Sequence, residues 1–312
     1  MNIILRSILQ SILLGITQGL AEFFPVSSSG HLVIIPYFFK WEPIPLYYAV
    51  MLHFATLLSL LTVYYRDAGK IISSFFIGIF KRDKRNDNNF KLAVFIIIAS
   101  IPAAIAGFFL NGIVESFFSK SLYVSLYVGI FLLITAIFLF TGEIRGKIIE
   151  ARLSPISENI SSQLDSNKRN DEQINNIESS NPKINYLIAF IVGIGQAIAI
   201  LPGLSRSGTT ISFARFFGIK REECVKFSFL LSIPVIFGSF IFELYKSHEI
   251  IFNSSALNMA DMAISFVFAY ISGLLAIKFL TRLSRTGNLN IFAIYCIVIA
   301  VAVFIVLIIR SF

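Results

Sequence analysis

Six apolar stretches, each about the length that a helix needs to cross a bilayer, constrain this chain more than any other feature: Tyr47 to Tyr65, Leu92 to Leu110, Leu122 to Phe140, Val225 to Leu244, Met262 to Leu280 and Ile291 to Ile309. Inside hydrocarbon every backbone polar group needs an internal partner, so runs of this length can only be helices. The fold class is therefore an all-α polytopic membrane protein. With 56% hydrophobic and 14% charged residues in 312, too little polar sequence is left to coat a large extramembrane catalytic domain.

Two more apolar stretches, Ile8 to Phe24 and Tyr186 to Leu201, run into Pro, Gly and Ser before a second short apolar segment. That pattern predicts re-entrant or broken helical hairpins, over 7–40 and 186–217. Each hairpin precedes three full spans, which divides the chain into a first repeat (1–142), a polar cytoplasmic linker (143–184) and a second repeat (185–312). The linker is rich in Ser, Asn, Asp, Glu and Lys, and reads as disordered with no catalytic part. Arg6 ahead of an apolar run imitates a secretion signal, but Gln18, Glu22 and Pro25 interrupt the run, so the segment reads as retained.

Charge sorts by loop. Segments 66–91, 143–183, 214–226 and 278–285 hold 20 of the 26 Lys and Arg, which marks them as cytoplasmic and puts both termini outside. Orientation thus accounts for the net charge of +8, and nucleic acid is not expected as a partner. Cys224 and Cys296 lie in or beside apolar runs without ligand spacing, so neither a disulfide framework nor zinc is indicated. Two charges belong to no loop or chain end: Glu22 and Arg206. A charge at membrane depth costs about 2.5 to 3.5 kcal/mol even on the lenient insertion scale, so this pair marks a functional site or a structural ion pair. His53, inside a span, reads as structural and stays outside the candidate set; His248 reads as solvated.

At a fixed offset of 178, and without a gap, Gly15 aligns with Gly193, Gln18 with Gln196, Ala21 with Ala199, Ser27 with Ser205, Ser29 with Ser207 and Gly30 with Gly208. Ser28 falls opposite Arg206, and His31 opposite Thr209. Three spans separate the copies, so the duplication is inverted, and the two breaks are expected to meet near the midplane with their helix N-termini facing an anion.

The first break, QGLAEFFPVSSSGH, gathers an acid, a potential nucleophile and an imidazole; Gln18 and Glu22 share a helix face. The second, LPGLSRSGTT, offers an Arg fork, hydroxyls and glycines that let backbone approach phosphate closely. It lacks the Lys and the spacing of a Walker A loop.

These two segments resemble the signature motifs of the bacterial undecaprenyl-diphosphatase, or bacitracin resistance protein, family. Gln18 and Glu22 match its (E/Q)xxxE element; Pro25, Ser27, Ser28, Gly30 and His31 match PxSSxGH; Pro202, Gly203, Ser205, Arg206, Ser207 and Thr210 match PGxSRSxxT. The resemblance extends over nearly the whole chain except 143–183. It implies hydrolysis of undecaprenyl diphosphate to undecaprenyl phosphate and inorganic phosphate at the outer face of the bacterial cytoplasmic (inner) membrane. That reaction recycles the lipid carrier of peptidoglycan synthesis, and bacitracin competes by binding the lipid substrate. Gln18 cannot act as a base, so a mechanism with two carboxylates is disfavoured; Ala21 stands where a hydroxyl residue is common in the family, which removes one minor donor.

On this reading Glu22, Ser28, His31 and Arg206 are catalytic, and Gln18, Ser27, Gly30, Ser205, Ser207, Gly208 and Thr210 bind substrate. Ser28 attacks phosphorus and passes its proton to His31 or Glu22, with His31 as nucleophile the alternative; both stay open here. The resemblance also implies a divalent cation, Mg2+ or Ca2+, with Glu22 as main ligand and Gln18 lending a neutral oxygen. A lipid-phosphate transporter or flippase is the rival function, because broken inverted repeats also build transporters. A homodimer is compatible with the sequence on general grounds alone.

Overall fold

The computed structural model describes residues 3–117, 122–164, 183–252 and 256–311. In order these form α1 (Ile3–Phe23), α2 (Ser28–Phe39), α3 (Leu46–Phe80), a 3-10 turn (Arg82–Asn86), α4 (Asn88–Ser116), α5 (Leu122–Leu164), α6 (Tyr186–Ile198), α7 (Arg206–Phe216), α8 (Arg221–Phe252), α9 (Ala256–Thr286) and α10 (Asn290–Ser311). No strand occurs among the described residues. Among the described residues six helices are long and apolar enough to cross a membrane, and each contains or overlaps one of the six runs. The protein is polytopic and all-helical, as its hydropathy demands.

Both hairpins exist. Pro25 and Pro202 sit just past the ends of α1 and α6, where a residue without an N–H cannot continue a helix. The second limbs start at Ser28 and Arg206, positions related by the offset of the repeat. Their caps are also equivalent: Ser27 Oγ accepts from Gly30 N at 3.2 Å, and Ser205 Oγ from Gly208 N at 3.0 Å.

Each first limb packs on a spanning helix of the other half, α1 on α9 and α6 on α4. Gly15 and Gly193 explain the approach. A Cβ on Gly15 would fall on Ser265 O, and one on Gly193 would lie 2.6 Å from Ala99 O. Small residues let helices pack backbone to backbone in lipid, where no hydrophobic effect drives them together. Both copies of the repeat thus use the glycine for the same kind of contact.

The spans are longer than their apolar runs. α3 continues past Tyr65 to Phe80, with a kink at Tyr64 (φ −107°, ψ 20°) where the apolar run ends. α5 runs to Leu164, so the segment read as a linker from residue 143 begins as helix. Glu143 and Glu150, seven apart and hence on one face, meet Arg221 and Arg215. Their polarity alone reads as solvent exposure. Residues 165–182 of that segment lie outside the described residues.

The four basic segments converge on one end of the bundle, where Lys226–Asp67 (2.7 Å), Arg285–Glu222 (2.7 Å), Arg221–Glu143 and Arg215–Glu150 tie helix ends together. At the opposite end, Arg310 donates to the carbonyls of Tyr37 (2.6 Å) and Phe38 (3.2 Å) in the last turn of α2. The breaks lie between these two ends.

Candidate active site

The two breaks interlock through backbone. Ser27, with φ 69°, and Gly203, with φ 104°, both occupy the left-handed region, and Gly203 N donates to Ser27 Oγ at 3.0 Å. Positive φ costs a non-glycine residue on the order of 1–3 kcal/mol, and it is held here because Ser27 caps its own helix and receives the other repeat at the same oxygen. Gly30 serves the junction by having no side chain: a Cβ there would lie 3.0 Å from Gly203 Cα. Thr135 on α5 braces the second turn, accepting from Ser205 N at 3.0 Å and donating to Gly203 O at 3.2 Å.

Glu22 is at the centre of what this junction assembles. Its carboxylate, 3% exposed, accepts from Arg206 Nη2 through Oε1 and from Ser28 Oγ through Oε2 at 2.7 Å. Gln18 Nε2 donates to the same Oε2 at 3.0 Å. The two charges left over by the loop sorting thus form an ion pair, and the Ser that aligns with Arg206 in the repeat touches the same carboxylate. Opposite charges separated by 184 residues compensate each other at membrane depth, which a lone charge could not do.

Around them opens a cavity of about 200 Å³. Glu22, Ser27, Ser28, Ser205, Arg206 and Ser207 line it, as does Ser29. The caps take the N–H groups of Gly30 and Gly208, and the residues ahead of them in each first turn face the cavity, where helix N-termini favour anions. An apolar wall continues from this polar end, built from Ala49 and Val50 of α3, Ala103 and Val114 of α4, and Val235 and Ile236 of α8.

Other expected site residues are placed differently. His31 does not line the cavity. Its Nδ1 donates to Ser27 O at 2.7 Å, which leaves Nε2 to accept from Tyr295 OH at 2.9 Å, and the two rings stack. Both ring nitrogens are engaged in this arrangement, and they tie the capping turn to α10. Thr210 is likewise behind the site, donating to Arg206 O at 2.9 Å and paired with Ser228 Oγ at 2.6 Å. Gln18, Gly30 and Gly208 shape the site from behind without facing the cavity.

The residue read as structural belongs in the site. His53 donates through Nδ1 to Ala49 O at 2.7 Å, which points Nε2 at Glu22 Oε2 (3.3 Å) and Ser28 Oγ (3.5 Å). The sequence did contain a signal, an imidazole inside an apolar span, but nothing local tied it to a motif more than twenty residues away. Gln196, noticed only as the repeat partner of Gln18, also lines the cavity.

The donors do not suit a resident divalent cation. Glu22 Oε1 is taken by Arg206, and Gln18 turns its amide N–H rather than its oxygen to the carboxylate. No group of three His, Cys, Asp or Glu side chains comes together among the described residues. As placed, Glu22 and Gln18 do not present two open oxygens to one ion.

Two interlocked helix breaks enclosing an Arg–Glu–Ser cluster, with an apolar wall alongside, define a membrane protein equipped to handle a phosphorylated amphiphile. Residues 11–302 match the family described as bacitracin resistance protein BacA. The chain is 34% identical to an undecaprenyl-diphosphatase of Methanococcus vannielii over 92% of its own length and 96% of that protein. It is 32% identical to undecaprenyl-diphosphatase 1 of Shouchella clausii, with 96% of both chains covered, and 35% identical to the undecaprenyl-diphosphatase of Treponema denticola over 93% and 94%. This chain belongs to the BacA family.

Proposed function

We propose that the protein is an integral membrane phosphatase that hydrolyses undecaprenyl diphosphate to undecaprenyl phosphate and inorganic phosphate, and so returns the lipid carrier of peptidoglycan synthesis. The observation that carries this reading is Ser28 Oγ held 2.7 Å from Glu22 Oε2, with Arg206 on the other oxygen of the same carboxylate. A hydroxyl, its proton acceptor and a phosphate-binding cation meet at one point, more than an anion carrier needs.

In the reaction Arg206 shifts from Glu22 to the terminal phosphate, with the first turns of α2 and α7 around its oxygens. Glu22, relieved of its cation, becomes a stronger base and takes the proton of Ser28 as Oγ bonds to phosphorus. The bridging P–O bond breaks and undecaprenyl phosphate leaves along the apolar wall. His53 steadies the protonated Glu22 through Nε2. Positioning and electrostatics account for most phosphoryl-transfer catalysis, and no step here is routed through a metal.

Access from the outer face of the cytoplasmic membrane is supported by the cavity lining. Leu46, the first residue of α3, and Val114, near the end of α4, are at the ends of those helices away from the basic loops. Bacitracin, by sequestering the diphosphate, would then compete with this site.

Ser28→Ala should lower phosphate release from undecaprenyl diphosphate by about three orders of magnitude or more while leaving lipid binding within a few-fold, measured on purified protein in detergent. His53→Ala should cost about 10- to 100-fold in kcat with a smaller change in KM, since it acts on the proton and not on the phosphate. Full activity in Ser28→Ala would refute the phosphoserine, and a folded wild type that releases no phosphate would leave lipid transport as the function to test.

A further inference from the structure

Gln196 is 1% exposed and lines the cavity, yet half of its amide has no partner. Its Nε2 donates to Ala99 O on α4 at 3.3 Å. That contact exists because Gly193, one turn earlier, lets α6 press against α4 at Ala99. Since the Ala99 carbonyl can only accept, the amide cannot be turned over, and Oε1 is left buried and unbonded. Such an oxygen costs about 1–3 kcal/mol unless something donates to it.

Its counterpart shows that the repeat alone does not explain this. Gln18 also carries an unpartnered Oε1, but it does not reach the cavity, and its Nε2 holds Glu22. One amide of the repeat pair steadies the carboxylate, and the other stands in the cavity wall.

The ligand must be a donor. A carbonyl oxygen repels the non-bridging oxygens of phosphate, so Gln196 Oε1 does not bind the phosphoryl group itself. It suits an O–H, and being neutral it adds no charge to repel an anion, as a carboxylate there would. We infer that Gln196 is a catalytic residue of the second half-reaction: its Oε1 accepts a hydrogen bond from the water that frees phosphate from Ser28. The inference rests on the phosphoserine proposed above.

The step balances. Water oxygen bonds to phosphorus opposite Ser28 Oγ, in the space vacated by undecaprenyl phosphate, and the Oγ–P bond breaks. Oγ recovers from Glu22 the proton lost in the first half-reaction. Both water protons stay on the product, which leaves as H2PO4−, one of them on the O–H that Gln196 accepts. Glu22 is ionised again and can re-pair with Arg206.

The test uses undecaprenyl diphosphate labelled with 32P in its terminal phosphate and the full-length protein in detergent, sampled by rapid quench. Gln196→Met keeps the shape but removes the acceptor. It should release undecaprenyl phosphate in a burst approaching one per enzyme, then turn over at least about tenfold more slowly than wild type, with label retained on protein and absent when Ser28→Ala is added. Gln196→Glu, which restores an oxygen, should retain less label than Gln196→Met, an ordering that a purely structural role at Ala99 would not produce. Turnover of Gln196→Met within about twofold of wild type, or parallel slowing of both products without label, would overturn the inference while leaving the phosphatase reading intact. Absence of either product from wild type would overturn both.

Discussion

Arg206→Ala is expected to reduce phosphate release by about 10³-fold or more, because among the described residues its guanidinium is the one Arg or Lys group lining the cavity and can follow charge onto the departing phosphoryl group. The same substitution would strand Glu22, 3% exposed, as an uncompensated carboxylate. Breaking a buried pair from one side costs about 3–5 kcal/mol, so loss of activity could be confused with loss of fold. Two further variants separate these effects. Arg206→Lys keeps the charge and discards the planar fork; it should fold and retain only a small fraction of activity. Arg206→Ala with Glu22→Gln removes both charges; it should melt in detergent near wild type and remain inactive. A double variant as unstable as Arg206→Ala alone would show that packing rather than charge compensation holds the junction.

Arg215→Ala should be the most destabilising single change at the basic end. Arg215 is 1% exposed in the last turn of α7, and donates to Glu150 through both terminal nitrogens at 2.6 Å and to Ile219 O at 3.0 Å. Its Nε lies 3.8 Å from Glu143, itself 2% exposed and paired with Arg221. Deletion leaves a cavity and weakens the compensation of Glu143. Allowing for Glu150, which is 41% exposed and recovers hydration, the expected loss is about 3 kcal/mol, read as a lowered melting temperature in detergent. Replacing Lys226, 47% exposed and paired with the equally open Asp67, should shift the same melt by less than about 1 kcal/mol. Equal effects at the two positions would contradict the burial argument. Because α7 carries Arg206 at one end and Arg215 at the other, partial loss of the Arg215 anchor should also raise KM for the diphosphate.

The features legible in the sequence are those that hydropathy, chain punctuation or residue identity express locally. Span number follows from runs of about 20 apolar residues, the breaks from proline and glycine between short apolar limbs, and the basic end from loop charge. The Glu22–Arg206 pair was legible because the membrane makes any charge costly, so two that no loop explains must be matched or used. Ser27 and Ser205 were legible as equivalent positions of the repeat, since they align without a gap.

Other features depended on distance in the chain. An imidazole in a catalytic motif and one in a span look alike until their neighbours are known. His31 loses its second nitrogen to Tyr295, 264 residues away, whereas His53 is turned to Glu22 by its own helix carbonyl at Ala49. Their different placements follow from those hydrogen bonds, which no local pattern encodes. The start of the supposed linker misled for the same reason: Glu143 and Glu150 read as solvated until Arg215 and Arg221 arrive from the second repeat. Hydropathy reports how a residue partitions between water and lipid, which suffices to count and break helices. Which polar atoms are already satisfied, and which, like Gln196 Oε1, are left open, is decided only when the helices of both repeats pack.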